Sequence, residues 1–148
     1  MKALLILLIS FSTQSVYCQI QPKELKLKDV LMSQEWRSDI NVFSSDSTST
    51  YQIFKNDLDD PYFIWGNFIS FTDSTFQTRY SASCGVDCFT KVQGNYKFVS
   101  SNEIEVFVKT IDRSGFCRTE SVAPNKSFGV YKISKTLKGY EIKKLNQK

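Results

Sequence analysis

The chain is predicted to fold as an all-β protein: an antiparallel, up-and-down barrel of about eight strands, with one short helix near its N-terminus. Three observations carry that prediction. Aromatic residues make up 14% of the chain, with 12 Phe and 7 Tyr against only 6 Gly. Phe, Tyr, Thr, Ser, Val and Ile dominate its middle, the composition of strands rather than helices. In Glu103-Ile104-Glu105-Val106-Phe107-Val108-Lys109 the aliphatics fall on every second residue, which in an extended chain gathers them on one face, although Phe107 interrupts the simple inside/outside reading. Finally, strand candidates recur at short, regular spacing with turn residues between them.

Taken in order, Glu24 to Met32 is the one helical candidate, since Leu27, Val30 and Leu31 repeat at the i, i+3, i+4 spacing of a single helical face. Such a helix can plug a barrel end or cover an edge. Trp36 to Phe43 precedes the polar run Ser44 to Ser49, and Thr50 to Lys55 precedes the acidic loop Asn56 to Pro61. Asn67 to Thr72 and Thr75 to Ala82 flank a tight turn at Asp73-Ser74; Val92 to Val99 and Glu103 to Ile111 flank Ser100 to Asn102. Phe128 to Lys135 and Tyr140 to Leu145 flank Thr136 to Gly139, where Gly139 can take the positive φ that a hairpin bulge often needs. Consecutive strands with short turns suit closure, which removes exposed edges and leaves an interior for side chains or one small ligand. A two-sheet sandwich of the same strands is the competing architecture.

Residues 1–18 read as a secretory signal peptide, leaving 19–148 as a single domain. Lys2 precedes an apolar run, Ala3 to Phe11, and a short polar stretch ends at Cys18. That run is far short of the roughly 20 residues a membrane-spanning helix needs, and no later segment stops transfer, so no membrane span is expected. The expected location is secreted or periplasmic, where thiols oxidise. Cleavage after Ser15 or after Cys18 is allowed by the small residues before each cut. Lipid anchoring at Cys18 is disfavoured by Tyr17, which stands where a small residue is wanted. With Lys2 removed from the 19 basic residues, 18 stand against 15 acidic ones, a net charge of +3. The lysines are scattered apart from Lys23, Lys26 and Lys28 and the C-terminal Lys143, Lys144 and Lys148, both groups reading as solvated surface. Nucleic acid is therefore not an expected partner.

Chemistry is sparse. The chain contains no histidine, which removes the commonest general base, the usual Ser-His and Cys-His pairs and the most frequent zinc ligand. Glu103 and Glu105, about 7 Å apart on one strand face, have a spacing open to glycoside chemistry but read more simply as the solvent face opposite Ile104, Val106 and Val108. Asp57, Asp59 and Asp60 lack the alternate-acid-plus-glycine pattern of a calcium loop, and Pro61 cuts them short. No enzyme activity, metal or cofactor is expected. The cysteines read as structural: Cys84 and Cys88 precede one strand of a hairpin and Cys117 follows the other, so the loops that carry them meet at one barrel end. Cys88 with Cys117 is the favoured bridge, Cys84 the rival partner and a local Cys84–Cys88 bridge the third choice. A loop of about 30 residues closed in this way contributes roughly 3 to 4 kcal/mol in the chain-entropy model. The sulfur left over is free, paired with Cys18 if that residue survives cleavage, or available to another molecule. Asn125-Lys126-Ser127 is a formal glycosylation acceptor in a loop after Pro124.

Gln34-Glu35-Trp36 at the first strand, Gly94-Asn95-Tyr96-Lys97-Phe98 followed by Asn102 to Val106, and the closing Gly129-Val130-Tyr131-Lys132-Ile133 hairpin together resemble small exported bacterial lipocalin-like proteins. The Gly-x-Trp opening of animal lipocalins is absent, with Glu35 immediately before the tryptophan. The resemblance implies a barrel with an apolar cavity and carries over no catalytic residue. Under it, the expected function is to bind a small apolar ligand, with Trp36, Trp65, Tyr96 and Tyr131 as lining residues. The aromatic run Tyr62 to Phe71 around Trp65 reads more simply as plain core. The alternative function is a packed barrel that acts as an interaction or inhibitor protein, contacting a protein partner through the loops around Cys84 to Cys88 and Arg113 to Arg118.

Overall fold

A computed structural model describes residues 26–55 and 64–145. It contains α1 (Leu27–Met32), β1 (Trp36–Ser38), β2 (Thr50–Lys55), β3 (Gly66–Phe71), β4 (Thr75–Ser81), β5 (Cys88–Phe98), β6 (Glu103–Gly115), β7 (Lys126–Lys135) and β8 (Gly139–Lys144). The strands close into one antiparallel barrel in the order β1-β2-β8-β7-β6-β5-β4-β3. The expected eight-stranded barrel with one short helix is thus what forms, and the sandwich is not. From β3 to β8 the chain is a simple meander. β1, however, lies between β2 and β3, with Arg37 opposite both Phe54 and Phe68, and β2 closes the barrel against β8.

Two ends follow from these pairings. The helix end collects α1 and the β3–β4, β5–β6 and β7–β8 turns. The loop end collects the β1–β2, β4–β5 and β6–β7 connections. At the helix end the expected helical face is the buried one: Leu31 is fully buried, and Leu27 and Val30 pack on the core. Trp36, the first residue of β1, donates its indole N–H to the Leu31 carbonyl at 2.9 Å, and its ring meets Tyr140 edge-on with centroids 5.5 Å apart. A buried indole needs such a partner, and this one satisfies a carbonyl that the end of the helix leaves open.

The first strand is shorter than Trp36 to Phe43. Pairing stops at Ser38, where the Asp39 carboxylate accepts the backbone N–H groups of Ile40 and Gln52 at 2.9 and 3.0 Å. The chain then turns into the lumen, and Phe43, held at φ 58°, lies fully buried in the middle of an aromatic cluster. Its ring meets Tyr51, Phe76 and Tyr131 edge-on at centroid distances of 5.4, 4.9 and 5.1 Å. Asn41 secures this loop by donating to the Thr90 carbonyl and accepting from the buried Thr78 hydroxyl, at 3.0 and 2.9 Å. Thr78 in turn accepts the Val92 N–H at 2.9 Å, so a side chain takes over where the β4–β5 backbone ladder ends.

Local geometry resolves the interruption at Phe107. Opposite Gln93 and Gly94, β6 carries one extra residue, Lys109, so the inward set runs Ile104, Val106, Val108 and then Ile111, while Phe107 faces out. Gly94 sits at that bulge because any side chain there would collide with the Phe107 carbonyl and the Phe76 ring. Gly139 does not use the positive φ open to it; a Cβ there would run into the Ile53 carbonyl where β2 closes on β8. The positive φ falls instead at Gly129, beside the β6–β7 bulge.

One aromatic ring is buried away from the lumen. Phe68 on the outer wall lies under the Arg79 guanidinium, 4.0 Å from the ring centroid, and Glu35 holds Arg79 through two hydrogen bonds of 2.9 and 2.6 Å. The planar, two-pronged contact restricts Arg79 to the position over the ring.

Removing the Phe43 ring leaves a cavity between three aromatic side chains that strands on every side prevent from collapsing. Phe43→Ala is expected to cost about 3 to 5 kcal/mol, read as a lower midpoint in urea unfolding at unchanged slope.

Candidate functional site

The four residues expected to line a cavity do not converge on one. Tyr131, fully buried, packs with Phe43 and Tyr51. Tyr96, 4% exposed, lies between Phe71 and Phe98 and donates its hydroxyl to the Thr72 carbonyl at 2.6 Å. Trp36, 1% exposed, belongs to the helix end. Trp65 is half-buried just before β3, outside the core cluster. Trp36, Tyr96 and Tyr131 are therefore packing residues of the core cluster.

Burial also governs the ionisation of the lumen tyrosines. It pushes Tyr51 up to about 12, against smaller opposing contributions from hydrogen bonds. Tyr131 is pushed up by burial first and by Tyr51 and Asp46 after it. Both phenols are therefore neutral at physiological pH.

The carboxylates are engaged structurally. Glu105 pairs with Lys97 at 2.7 Å on the outer wall, and Lys97 holds it below the ordinary carboxylate range. Asp46 binds Lys144 and Lys126 at 2.6 and 2.9 Å, tying the β1–β2 loop to β7 and β8. Among the described residues no group of three potential ligands is placed to hold a metal ion. Asp57, Asp59 and Asp60 lie outside the described residues.

At the loop end Cys88 and Cys117 form the favoured disulfide, across a sequence separation of 29 with Cα atoms 4.6 Å apart. It ties the start of β5 to the loop after β6. Cys84 is free and exposed, so neither of the other two pairings forms. Phe116 donates its N–H to the Asp87 carbonyl at 3.2 Å, which places the two most exposed apolar groups of this end, Phe116 and Val86, on neighbouring stretches of chain.

The helix end carries a different feature, an open groove of about 710 Å³ between α1 and the β5–β6 and β7–β8 turns. Leu27, Val30, Phe98, Ile133 and Tyr140 form its apolar surface, Ser100, Ser101 and Asn102 one polar edge, and Lys26, Lys28 and Lys135 its charged rim. The volume falls within the range of about 300 to 1,000 Å³ typical of small-molecule sites. Lys28 is paired with Asp73 at 2.8 Å, whereas Lys26 and Lys135 have no ion pair among the described residues. Sequence reasoning found the parts of this groove without the whole. Leu27 and Val30 were legible as a helical face and Lys26 and Lys28 as a basic cluster, but no sequence signal joins them to Phe98, Ile133 and Lys135 across the barrel mouth.

Two outcomes test these assignments. Tyr51 and Tyr131 ionise near pH 10 when unfolded and at higher pH when folded, so the stability they contribute is complete below pH 10 and is lost as the pH rises toward 12. Tyrosinate absorbance should show those two phenols titrating together with unfolding, and Tyr51→Phe should flatten the loss of stability in that window. Digestion without reduction should yield Cys88 and Cys117 in one linked peptide pair, and the paired change to Ser should lower stability by about 3 to 4 kcal/mol.

No protein-family model, curated protein or solved structure matches this chain.

Proposed function

We propose that the protein is an exported, non-catalytic binding module that holds a small, largely apolar ligand at the helix end of the barrel rather than in its lumen. The groove between α1 and the two neighbouring turns is the observation that carries this reading. It offers an apolar surface of four partly exposed side chains, Leu27, Val30, Phe98 and Tyr140, over the buried Ile133. The filled lumen supports the shift in position, because the aromatic cluster around Phe43 occupies the space that the lipocalin-like resemblance assigns to a ligand. The absence of histidine and the ion pairing of Glu105 and Asp46 support a role without catalysis.

A second reading rests on the loop end. There the disulfide joins two neighbouring loops, one carrying Val86, 65% exposed, and the other Phe116, 73% exposed. Exposed apolar groups on a covalently restrained loop suit a protein contact, since little conformational entropy remains to be lost on association.

The neutral probe N-phenyl-1-naphthylamine separates the two. Its fluorescence should rise on mixing with the protein, fall with Ser101→Trp, which narrows the groove from an exposed turn position, and persist with Phe116→Ser. Loss with Phe116→Ser alone would favour the loop end, and no rise at all would count against ligand binding.

A further inference from the structure

We infer that the ligand is an anionic amphiphile, specifically a single long-chain carboxylate, with its hydrocarbon chain on the groove floor and its carboxylate held at the rim by Lys26 and Lys135. The inference rests on the reading of the helix-end groove as the binding site and adds the chemistry of the occupant.

Charge complementarity selects the headgroup. Three ammonium groups border the groove, and no carboxylate lines it among the described residues. Lys28 is already paired with Asp73, so Lys26 and Lys135 remain to meet an anion. They come from different elements that meet at the groove, Lys26 from the residue before α1 and Lys135 from the last position of β7. The Ser101 hydroxyl in the β5–β6 turn adds a neutral donor to the groove lining, while the Ser100 hydroxyl donates to Asn102 Oδ1 at 3.4 Å. A carboxylate accepts from several such donors at once, and charge-assisted bonds of this kind are stronger than neutral ones. The floor selects the tail: the partly exposed Leu27, Val30, Phe98 and Tyr140 present aliphatic and aromatic carbon, which favours a hydrocarbon chain at roughly 0.8 kcal/mol for each methylene taken out of water. A neutral apolar ligand would leave the lysines without a role, and a compact inorganic anion would leave the floor wet.

The experiment compares 11-(dansylamino)undecanoic acid with its methyl ester, which share chain and fluorophore and differ only in the charge at one end. Both are titrated into the purified full mature chain at pH 7.5 and low salt, below their aggregation concentrations. The acid is expected to bind about three- to tenfold more tightly, the sum of two partly exposed charge contacts, with the preference shrinking as salt is added. Lys26→Gln with Lys135→Gln should bring the acid down to the ester's affinity. Lys91→Gln with Lys143→Gln makes the same change in net charge at exposed positions outside the groove and should leave the preference intact. Equal affinity for acid and ester, or a preference that survives Lys26→Gln with Lys135→Gln, would overturn the assignment of the headgroup while leaving the groove as a binding site. If neither probe binds, the reading of the groove itself fails, and this inference with it.

Discussion

The insertion of Phe43 into the barrel is the contact on which the rest of the structure depends. An eight-stranded barrel has an interior just wide enough for side chains to fill or for one small ligand to occupy, and the two uses exclude each other. Here the β1–β2 loop enters the lumen and sets Phe43 against Tyr51, Phe76 and Tyr131, each pair edge-on. That geometry places ring edges against ring faces and is favourable beyond the area it buries. The left-handed backbone at Phe43 is a local cost, offset by complete burial of the ring and by the Asn41–Thr78–Val92 hydrogen-bond chain that holds the loop in place. Once the lumen is filled, any recognition has to happen at an end or on the outer wall.

The two ends differ in physical character. At the helix end, α1 covers the barrel mouth through Leu31, while its Leu27 and Val30 leave apolar surface reachable beside the turns. At the loop end, a disulfide and the Asp46 pairs with Lys126 and Lys144 restrain long connections that secondary structure alone does not hold. The first end supplies a concave, lysine-rimmed surface; the second supplies exposed side chains on a stiffened loop. Small-molecule binding follows from concavity, because only a cleft removes most of a small ligand from water, and so the helix end bears the proposed function.

Much of the fold was legible because strand chemistry is local. The period-two pattern from Glu103 to Lys109, the turn residues at Asp73-Ser74 and the helical spacing of Leu27, Val30 and Leu31 each report on a few neighbouring residues, and each element forms where that signal lies. The Cys88–Cys117 bridge was legible for a related reason, since a hairpin brings the loops at its open end together whatever the surrounding fold. The candidate site was much less legible. Tyr96 and Tyr131 looked like ligand contacts by residue type, yet a tyrosine in a cavity and a tyrosine in a core have the same local sequence. Phe43 read as the end of a strand, because nothing nearby shows that the chain leaves the sheet after Ser38.

By itself, then, the amino-acid sequence determined the element types, the all-β class and the favoured placement of one disulfide, all of which depend on contacts between residues close along the chain or joined by a single hairpin; closure into a barrel rather than a sandwich was left to the tertiary structure. Tertiary structure alone decided that β1 lies between β2 and β3, that Phe43 fills the lumen, and that Lys26 and Lys135 flank one groove. Each of those depends on closure. Closing the sheet brings β2 against β8 and gathers separate turns at one mouth, and which side chains then meet is set by the register and stagger of all eight strands together.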